Sequence, residues 1–413
     1  MRRSAALLLA CVATVAFVAG CTKTISCSFS PPFALVEFVE TWPVGTDLDH
    51  PELRDTHEVW LEMIGGARHT IELEHFYASN AEGSRLEPVI KALEAAADRG
   101  VRVQFTADKG FYQRQYKGTL DRLDARDNID VDLIDFGALT GGIQHAKCML
   151  VDGDDLYVGS ANFDYRALEH IQELGVRVDS PEVGAWVQAV LEYDRAVARG
   201  KTPKTPEPGK RPSIKALLGN AVGSGSFTLS AAFSPSGSLP DSSTYDLPEL
   251  VASIHRATES IRLQLLSYKP VDRQGEWWPE LDDALRAAAE RGVDVKLIVA
   301  DWSDKPGSIE TLASLAALEH CSVSFMRIPQ HESGPIPFAR VVHAKYMVVD
   351  SDFAWIGTSN WQRGYFTKSR NLGFFLDGTE PAGTLAKFFD GNWSSKYAEL
   401  VAPAATSERP AGH

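Results

Sequence analysis

Apolar positions along the chain fall into short runs and helical stripes, and their order is written twice. In the first half the pattern predicts a helix over 59–64, a strand over 70–77 and an amphipathic helix over 86–99 stopped by Gly100. A strand over 101–107, a polar and partly helical stretch over 111–125 and a strand over 129–135 follow. Short apolar strands at 149–151 and 156–158, a strand over 174–178 and a helix over 183–198 complete it. The second half repeats the order: helix 248–257, strand 260–268, helix 280–291 stopped by Gly292, strand 293–300, helix 309–319 and strand 322–328. Strands at 347–349, 353–356 and 372–376 and a helix over 382–389 close it. The wording repeats too: Ala-Asp-Arg-Gly-Val-Arg-Val at 97–103 is mirrored by Ala-Glu-Arg-Gly-Val-Asp-Val at 289–295. Alternating strands and helices predict an α/β fold, and the internal repeat predicts two similar halves.

The boundaries follow from what lies outside the periodic stretches. Residues 56–200 form the first half and 246–402 the second. Residues 21–55, rich in Pro and aromatics, lead in to the first half. Residues 201–245 are a linker: Pro and Lys crowd 201–212, and 224–245 is rich in Ser, Pro and Gly with little structural signal. A tail over 403–413 is expected to be disordered. Residues 1–20 are a targeting segment, with Arg2 and Arg3 before an apolar run over 5–19. It closes on Val18-Ala19-Gly20-Cys21, which resembles a bacterial lipobox. That resemblance implies cleavage before Cys21 and lipid on its thiol, giving an extracytoplasmic, membrane-anchored lipoprotein. Thr22 lacks an acidic retention signal, which points to the outer membrane or the cell surface.

A chain of 413 residues is long enough for two halves with real cores. Its net charge of −14 argues against a broad electrostatic grip on duplex nucleic acid and leaves room for a local basic site. An extracytoplasmic address permits disulfides. Beyond Cys11 and Cys21 only Cys27, Cys148 and Cys321 remain, so one bridge at most can form, and Cys27–Cys321 is the pairing guessed; Cys148 faces away from Lys147 and is expected in a core strand. No cysteine spacing of the zinc-binding kind exists.

The chemistry sits in one repeated motif. His145 and Lys147 are followed by Asp152, Gly159, Ser160 and Asn162; His343 and Lys345 are followed by Asp350, Gly357, Thr358 and Asn360 at identical spacing. Residues i and i+2 of a strand face one side, so each His and Lys point together, with Ala146 and Ala344 opposite. Ser160 and Asn162, and Thr358 and Asn360, share a face at the end of the next strand. Each half thus presents an imidazole, an ammonium, a carboxamide and a hydroxyl. Breaking a phosphodiester needs a nucleophile, an acid for the leaving group and charge neutralisation. Two halves packed face to face about a pseudo-twofold axis would place two imidazoles on opposite sides of one phosphorus. One attacks to give a phosphohistidine and the other protonates the leaving oxygen. Lys147, Lys345, Asn162 and Asn360 would hold the phosphoryl oxygens, with Ser160 and Thr358 either as further substrate contacts or as residues that shape the turn. Two ammonium groups stand where a metal would serve, no carboxylate cluster suits Mg²⁺, and no cofactor is expected. Asp152 and Asp350, at strand ends, are read as structural. His75, which could line the cleft, and His170 are read as packing or structural histidines; Trp277, Trp278, Trp302 and Trp361 could stack on bases or contact lipid and are read chiefly as core.

These motifs resemble the phospholipase D superfamily in both halves, over nearly all of residues 27–400. The branch they resemble contains lysosomal 5′-exonucleases and poxviral envelope phospholipases. The carrying residues are His145-Ala-Lys, Gly159-Ser-Ala-Asn-Phe-Asp-Tyr-Arg, Glu173-Leu-Gly-Val, Trp278-Pro-Glu-Leu-Asp-Asp-Ala-Leu-Arg, Ile336-Pro-Phe-Ala-Arg and Gly357-Thr-Ser-Asn-Trp. The resemblance implies two phospholipase D-like α/β/α halves with one shared active site. It also implies that Glu173 buttresses a histidine; the matching place in the second half is the uncharged Asn371. From the resemblance His145 is the nucleophile and His343 the general acid. The implied substrate is the 5′ end of single-stranded nucleic acid. A phospholipid, by hydrolysis or transphosphatidylation, is the alternative, since a tethered body sits beside lipid head groups. An inactive lipid- or protein-binding member is the rival of another class; its usual mark, a lost catalytic His or Lys, is missing here.

Overall fold

The computed structural model describes residues 33–410 apart from 115, 204–208, 220–224 and 273–274. Cys21 and Cys27 therefore lie outside the described residues. Among the described residues Cys148 and Cys321 are both buried and neither has a disulfide partner.

Among the described residues 17 strands make one continuous sheet whose two ends are built alike, and four short strands pair apart from it in two small sheets. In the first half the order is Ile129–Ile134, Arg102–Asp108, Thr70–His75, Lys147–Val151, Asp155–Gly159, Glu173–Asp179 and Ala34–Thr41. In the second it is Cys321–Met326, Asp294–Ala300, Ser260–Leu265, Tyr346–Val349, Phe353–Gly357, Gly373–Asp377 and Phe227–Ala231. In each the first three strands are parallel and the rest antiparallel. Strand Ser213–Leu218 joins the ends, lying parallel to Ala34–Thr41 and antiparallel to Phe227–Ala231.

Helices cover the outer faces for the reasons the pattern gave. Leu86–Asp98 buries Leu86, Val89, Ile90, Leu93, Ala96 and Ala97, a stripe at helical spacing. Gly100 then takes φ +92°, the left-handed conformation that ends a helix; Gly292 repeats it at +92° after Glu280–Glu290. One apolar cluster packs each outer face, and a third lies between the halves. That inner cluster joins Cys148, Leu150, Val158 and Val176 to Val348, Ile356 and Phe374, with Val187 and Leu191 of helix Pro181–Ala198 and Leu385 and Phe389 of helix Thr379–Trp393. Ala146 and Ala344 belong to it, as the alternation requires.

Three segments differ from the sequence reading. The lead-in contributes Ala34–Thr41, whose alternation is broken by Glu40, a fully buried carboxylate held by the backbone N–H of His50 at 2.6 Å and its ring at 3.1 Å. The region read as linker supplies Ser213–Leu218 and Phe227–Ala231, which pair with each other and, on their other edges, with Ala34–Thr41 and Gly373–Asp377, both distant in sequence. The tail is not loose as far as Pro410. The N–H of Ala404 donates to the carbonyl of Ala313, and Arg286 donates to the carbonyl of Ser407. Among the described residues no helix is long and apolar enough to cross a membrane.

Candidate active site

The two motifs meet because each half lends main chain to the other. The parallel strands end where Lys147–Val151 and Tyr346–Val349 begin: His75 is opposite Lys147 and Gln264 opposite Tyr346. Just before these starts the chains cross between halves. Gln144 bridges to Arg370 and Gln172 to Val342. The N–H of His145 donates to the carbonyl of Arg370 at 3.0 Å, and that of His343 to Gln172 at 2.8 Å.

The crossing decides which side chain supports which imidazole. Glu173, in the first half, accepts from Nδ1 of His343, in the second, with its oxygens at 2.8 and 3.0 Å. Asn371, in the second half, has Oδ1 3.0 Å from Nδ1 of His145. A carbonyl-type oxygen only accepts, so the Asn371 contact fixes the Nδ1–H tautomer and leaves Nε2 of His145 with a lone pair. The Glu173 carboxylate instead favours the protonated form of His343.

The electrostatics follow the partners. Burial, then Lys147 and Lys345, hold His145 well below the usual histidine range. His343 is lowered mainly by burial, and Glu173 opposes the fall. The ring of His145 stands edge-on between Phe76, 5.3 Å away, and Tyr365, 4.8 Å away. Lys147 and Lys345 are fully buried, and each donates Nζ to the carbonyl of its own histidine, Lys147 at 2.6 Å. Burial lowers both ammonium groups, Lys345 to about 7 with Glu173 opposing. Asn162 and Asn360 are buried, with Oδ1 atoms that make no hydrogen bond. Among the described residues no three His, Cys, Asp or Glu side chains are grouped to hold a metal ion.

Ser160 and Thr358 are engaged elsewhere than the reading as substrate contacts supposed. Ser160 Oγ donates to Glu173 at 2.5 Å and accepts from the N–H of Leu174; Thr358 Oγ1 donates to Asn371 at 2.9 Å and accepts from the N–H of Leu372. They set the residues that set the histidines. Asp152 and Asp350 lie apart from the site. Asp152 accepts from the N–H groups of Arg68, His69 and Thr70, and Asp350 from Thr258, Glu259 and Ser260, each tying a turn to the strand that follows. His75 packs among Trp60, Phe105 and Phe163.

Behind the site the pseudo-symmetry is filled with different chemistry. Arg370 and Asp194, both fully buried, pair through two contacts of 2.6 Å, and Arg370 also donates to the carbonyls of Ser234 and Ser238. In the mirrored place stand Gln172, Gln264 and Asn392, three carboxamides closed into a ring of hydrogen bonds of 2.7–3.0 Å. Sequence reading noted Asn371 as the counterpart of Glu173 but not its contact, and it missed Phe76, Tyr365, Arg370 and Asp194. Aligning Gln172-Glu173 on Arg370-Asn371 was the signal available.

Comparison with known proteins places this geometry. The model of the family described as cardiolipin synthase, PLD-like domain, matches residues 60–195 and 250–393. The chain is 30% identical over 392 residues to phospholipase D Z of Dictyostelium discoideum, spanning 88% of this chain and 90% of that protein. It is 30% identical over 404 residues to the 5′-3′ exonuclease PLD3 of Bos taurus, spanning 89% and 81%. It is 28% identical over 400 residues to the virion nicking-joining enzyme of vaccinia virus (strain Western Reserve), spanning 92% of each. In fold it is similar to the phosphatidylserine synthase of Haemophilus influenzae Rd KW20, with a TM-score of 0.63 at 12% identity over 90% of this chain and 89% of that one.

Proposed function

Because the chain belongs to the phospholipase D-like domain family, we propose that His145 and His343 divide a phosphodiester cleavage between them through a covalent phosphohistidine. The coarse activity, that of a phosphodiesterase of the phospholipase D superfamily, comes with the family. The observation that carries the division of labour is the unlike support of the two imidazoles: a carboxamide on His145, a carboxylate on His343. Nε2 of His145 attacks phosphorus. The bond to the leaving oxygen breaks, and Nε2–H of His343 gives that oxygen its proton. His343, now neutral, takes a proton from water, whose oxygen attacks phosphorus as the phosphorus–nitrogen bond breaks. His145 is released with its Nδ1–H still donating to Oδ1 of Asn371. Lys147, Lys345, Asn162 and Asn360 neutralise and hold the phosphoryl oxygens. In a site from which water is excluded such contacts stabilise developing charge strongly.

The substrate we infer is the 5′ end of single-stranded nucleic acid. It is supported by similarity, along most of the chain, to proteins named 5′-3′ exonuclease and nicking-joining enzyme. Similarity to phospholipase D Z supports phospholipid as the second reading. Lipid on Cys21 is part of the proposal, supported by the lipobox-like Val18-Ala19-Gly20-Cys21. It is tested by palmitate labelling of the wild-type chain against Cys21→Ala. The substrate test is cleavage of a 5′-hydroxyl single-stranded oligonucleotide by residues 22–413. Stepwise shortening from the 5′ end, abolished by His145→Ala, supports the proposal. Intact oligonucleotide beside hydrolysed phosphatidylglycerol vesicles overturns the substrate and leaves the mechanism.

A further inference from the structure

Of the tryptophans read chiefly as core, Trp278 and Trp361 are buried, but Trp302 is 41% exposed, and beside it Phe338 is 66% exposed. Their rings meet edge to face, 6.4 Å apart at 81°. Both stand at the active-site end of the second half. Trp302 lies in the turn Asp301–Ser303, directly after strand Asp294–Ala300, whose neighbour Ser260–Leu265 ends where Tyr346–Val349 begins. Phe338 precedes His343 by five residues.

Phe338 is held out by its backbone. Its φ is +60°, and that of Arg340 is +59°. Bulky L side chains resist this region, and such strain gathers at sites that hold ligands. The loop is pinned from below: Arg166, paired with Asp164, donates to the carbonyl of Pro337 at 3.1 Å, with its guanidinium 6.0 Å from the Phe338 ring centre. Arg166 also reaches the hydroxyl of Tyr77 at 3.5 Å. Tyr77 stacks on Tyr116 at 4.2 Å and neighbours Phe76 at 5.4 Å, and Phe76 stands 5.3 Å from His145. Rings and one guanidinium therefore run without a break from the nucleophile to Trp302.

We propose that Trp302 and Phe338 form a stacking corner for an unpaired nucleobase beside the scissile phosphodiester, an inference that rests on the nucleic-acid reading above. Every base has a flat π-face, so an aromatic corner grips a strand without reading its sequence. That mode suits a chain whose net charge of −14 provides little general attraction for phosphates. The two rings at right angles leave flat faces for a planar guest.

The test uses Trp302→Ala and Phe338→Gly, singly and together. Glycine accepts positive φ, so Phe338→Gly relieves strain, and its Tm is expected at or above that of the wild type. With a 5′-hydroxyl oligothymidylate the double variant is expected to raise KM at least ten-fold with kcat little changed. On the same oligonucleotide made abasic at its first three positions, wild type and variant should have the same KM. An unchanged KM on the thymidylate overturns the proposal, as does an equal loss on both oligonucleotides or a lowered Tm for Phe338→Gly. Loss of binding to phosphatidylglycerol vesicles with unchanged oligonucleotide KM would assign the corner to a membrane instead. A wild type that leaves both oligonucleotides intact refutes the substrate reading itself, an outcome separate from any difference between variants.

Discussion

Glu173→Gln keeps the size of a fully buried side chain and removes its charge. Glu173 now accepts from Nδ1 of His343 at 2.8 and 3.0 Å and from Ser160 at 2.5 Å. Glutamine retains one acceptor for Nδ1–H, so the ring stays in place; what disappears is the bond between a carboxylate and an imidazolium. A hydrogen bond to a charged group contributes about 1.5–3 kcal/mol. At about 1.36 kcal/mol per factor of ten, the loss is about 10- to 150-fold in kcat/KM where His343 must be protonated. Because Glu173 opposes the fall in the His343 pKa, its removal moves the falling limb of the pH profile to lower pH. The assay is kcat/KM for a 5′-hydroxyl oligonucleotide between pH 4 and 8, with Asn371→Ala in parallel. Loss concentrated at the upper end of the range, with the rising limb in place, is the expected result. A uniform loss, or displacement of the rising limb, would refute the assignment of His343 as the acid.

Four further outcomes follow from the same geometry. In wild type, His145 must be neutral and His343 protonated; since both lie below the usual histidine value and His145 lies further below, kcat/KM should peak on the acid side of pH 6.5, with a further decline near pH 7 as Lys345 loses its proton. His343→Ala should accumulate phosphate on His145 from a substrate with a good leaving group, which departs without an acid and leaves an intermediate that no base hydrolyses; phosphate recovered on His343 in His145→Ala would reverse the roles. Arg370→Leu leaves Asp194 buried without its partner and should cost about 3–5 kcal/mol of stability, read by urea denaturation, and restoration by adding Asp194→Leu would show that the unpaired charge is the cause. Asp152→Ala frees three backbone N–H groups and should cost about 2–4 kcal/mol in the same assay, with kcat of the folded protein close to wild type.

Much of this molecule is written locally. Leu86–Asp98 and its glycine stop were legible because an apolar stripe and a left-handed residue are properties of a dozen consecutive positions. The pairing of His145 with Lys147, and of His343 with Lys345, was legible because a strand repeats every two residues. The doubled motif foretold two halves and one site, and the family comparison agrees in both fold and branch. The strand Phe227–Ala231 was not legible, because the Ser-, Pro- and Gly-rich segment around it carries little local signal and one of its two partners, Gly373–Asp377, lies over a hundred residues away.

The sequence by itself determined the reacting groups, their number and their spacing, since these depend on residue type and strand periodicity. The tertiary structure alone decided that Glu173 supports His343 and Asn371 supports His145, because that pairing arises where main chain crosses between halves. It decided that Ser160 and Thr358 face those supports, and that an arginine–aspartate pair lies behind one half and three carboxamides behind the other. A carboxylate and a carboxamide differ by a charge that acts within a few ångströms, so the division between acid and nucleophile comes from contacts between residues far apart along the chain.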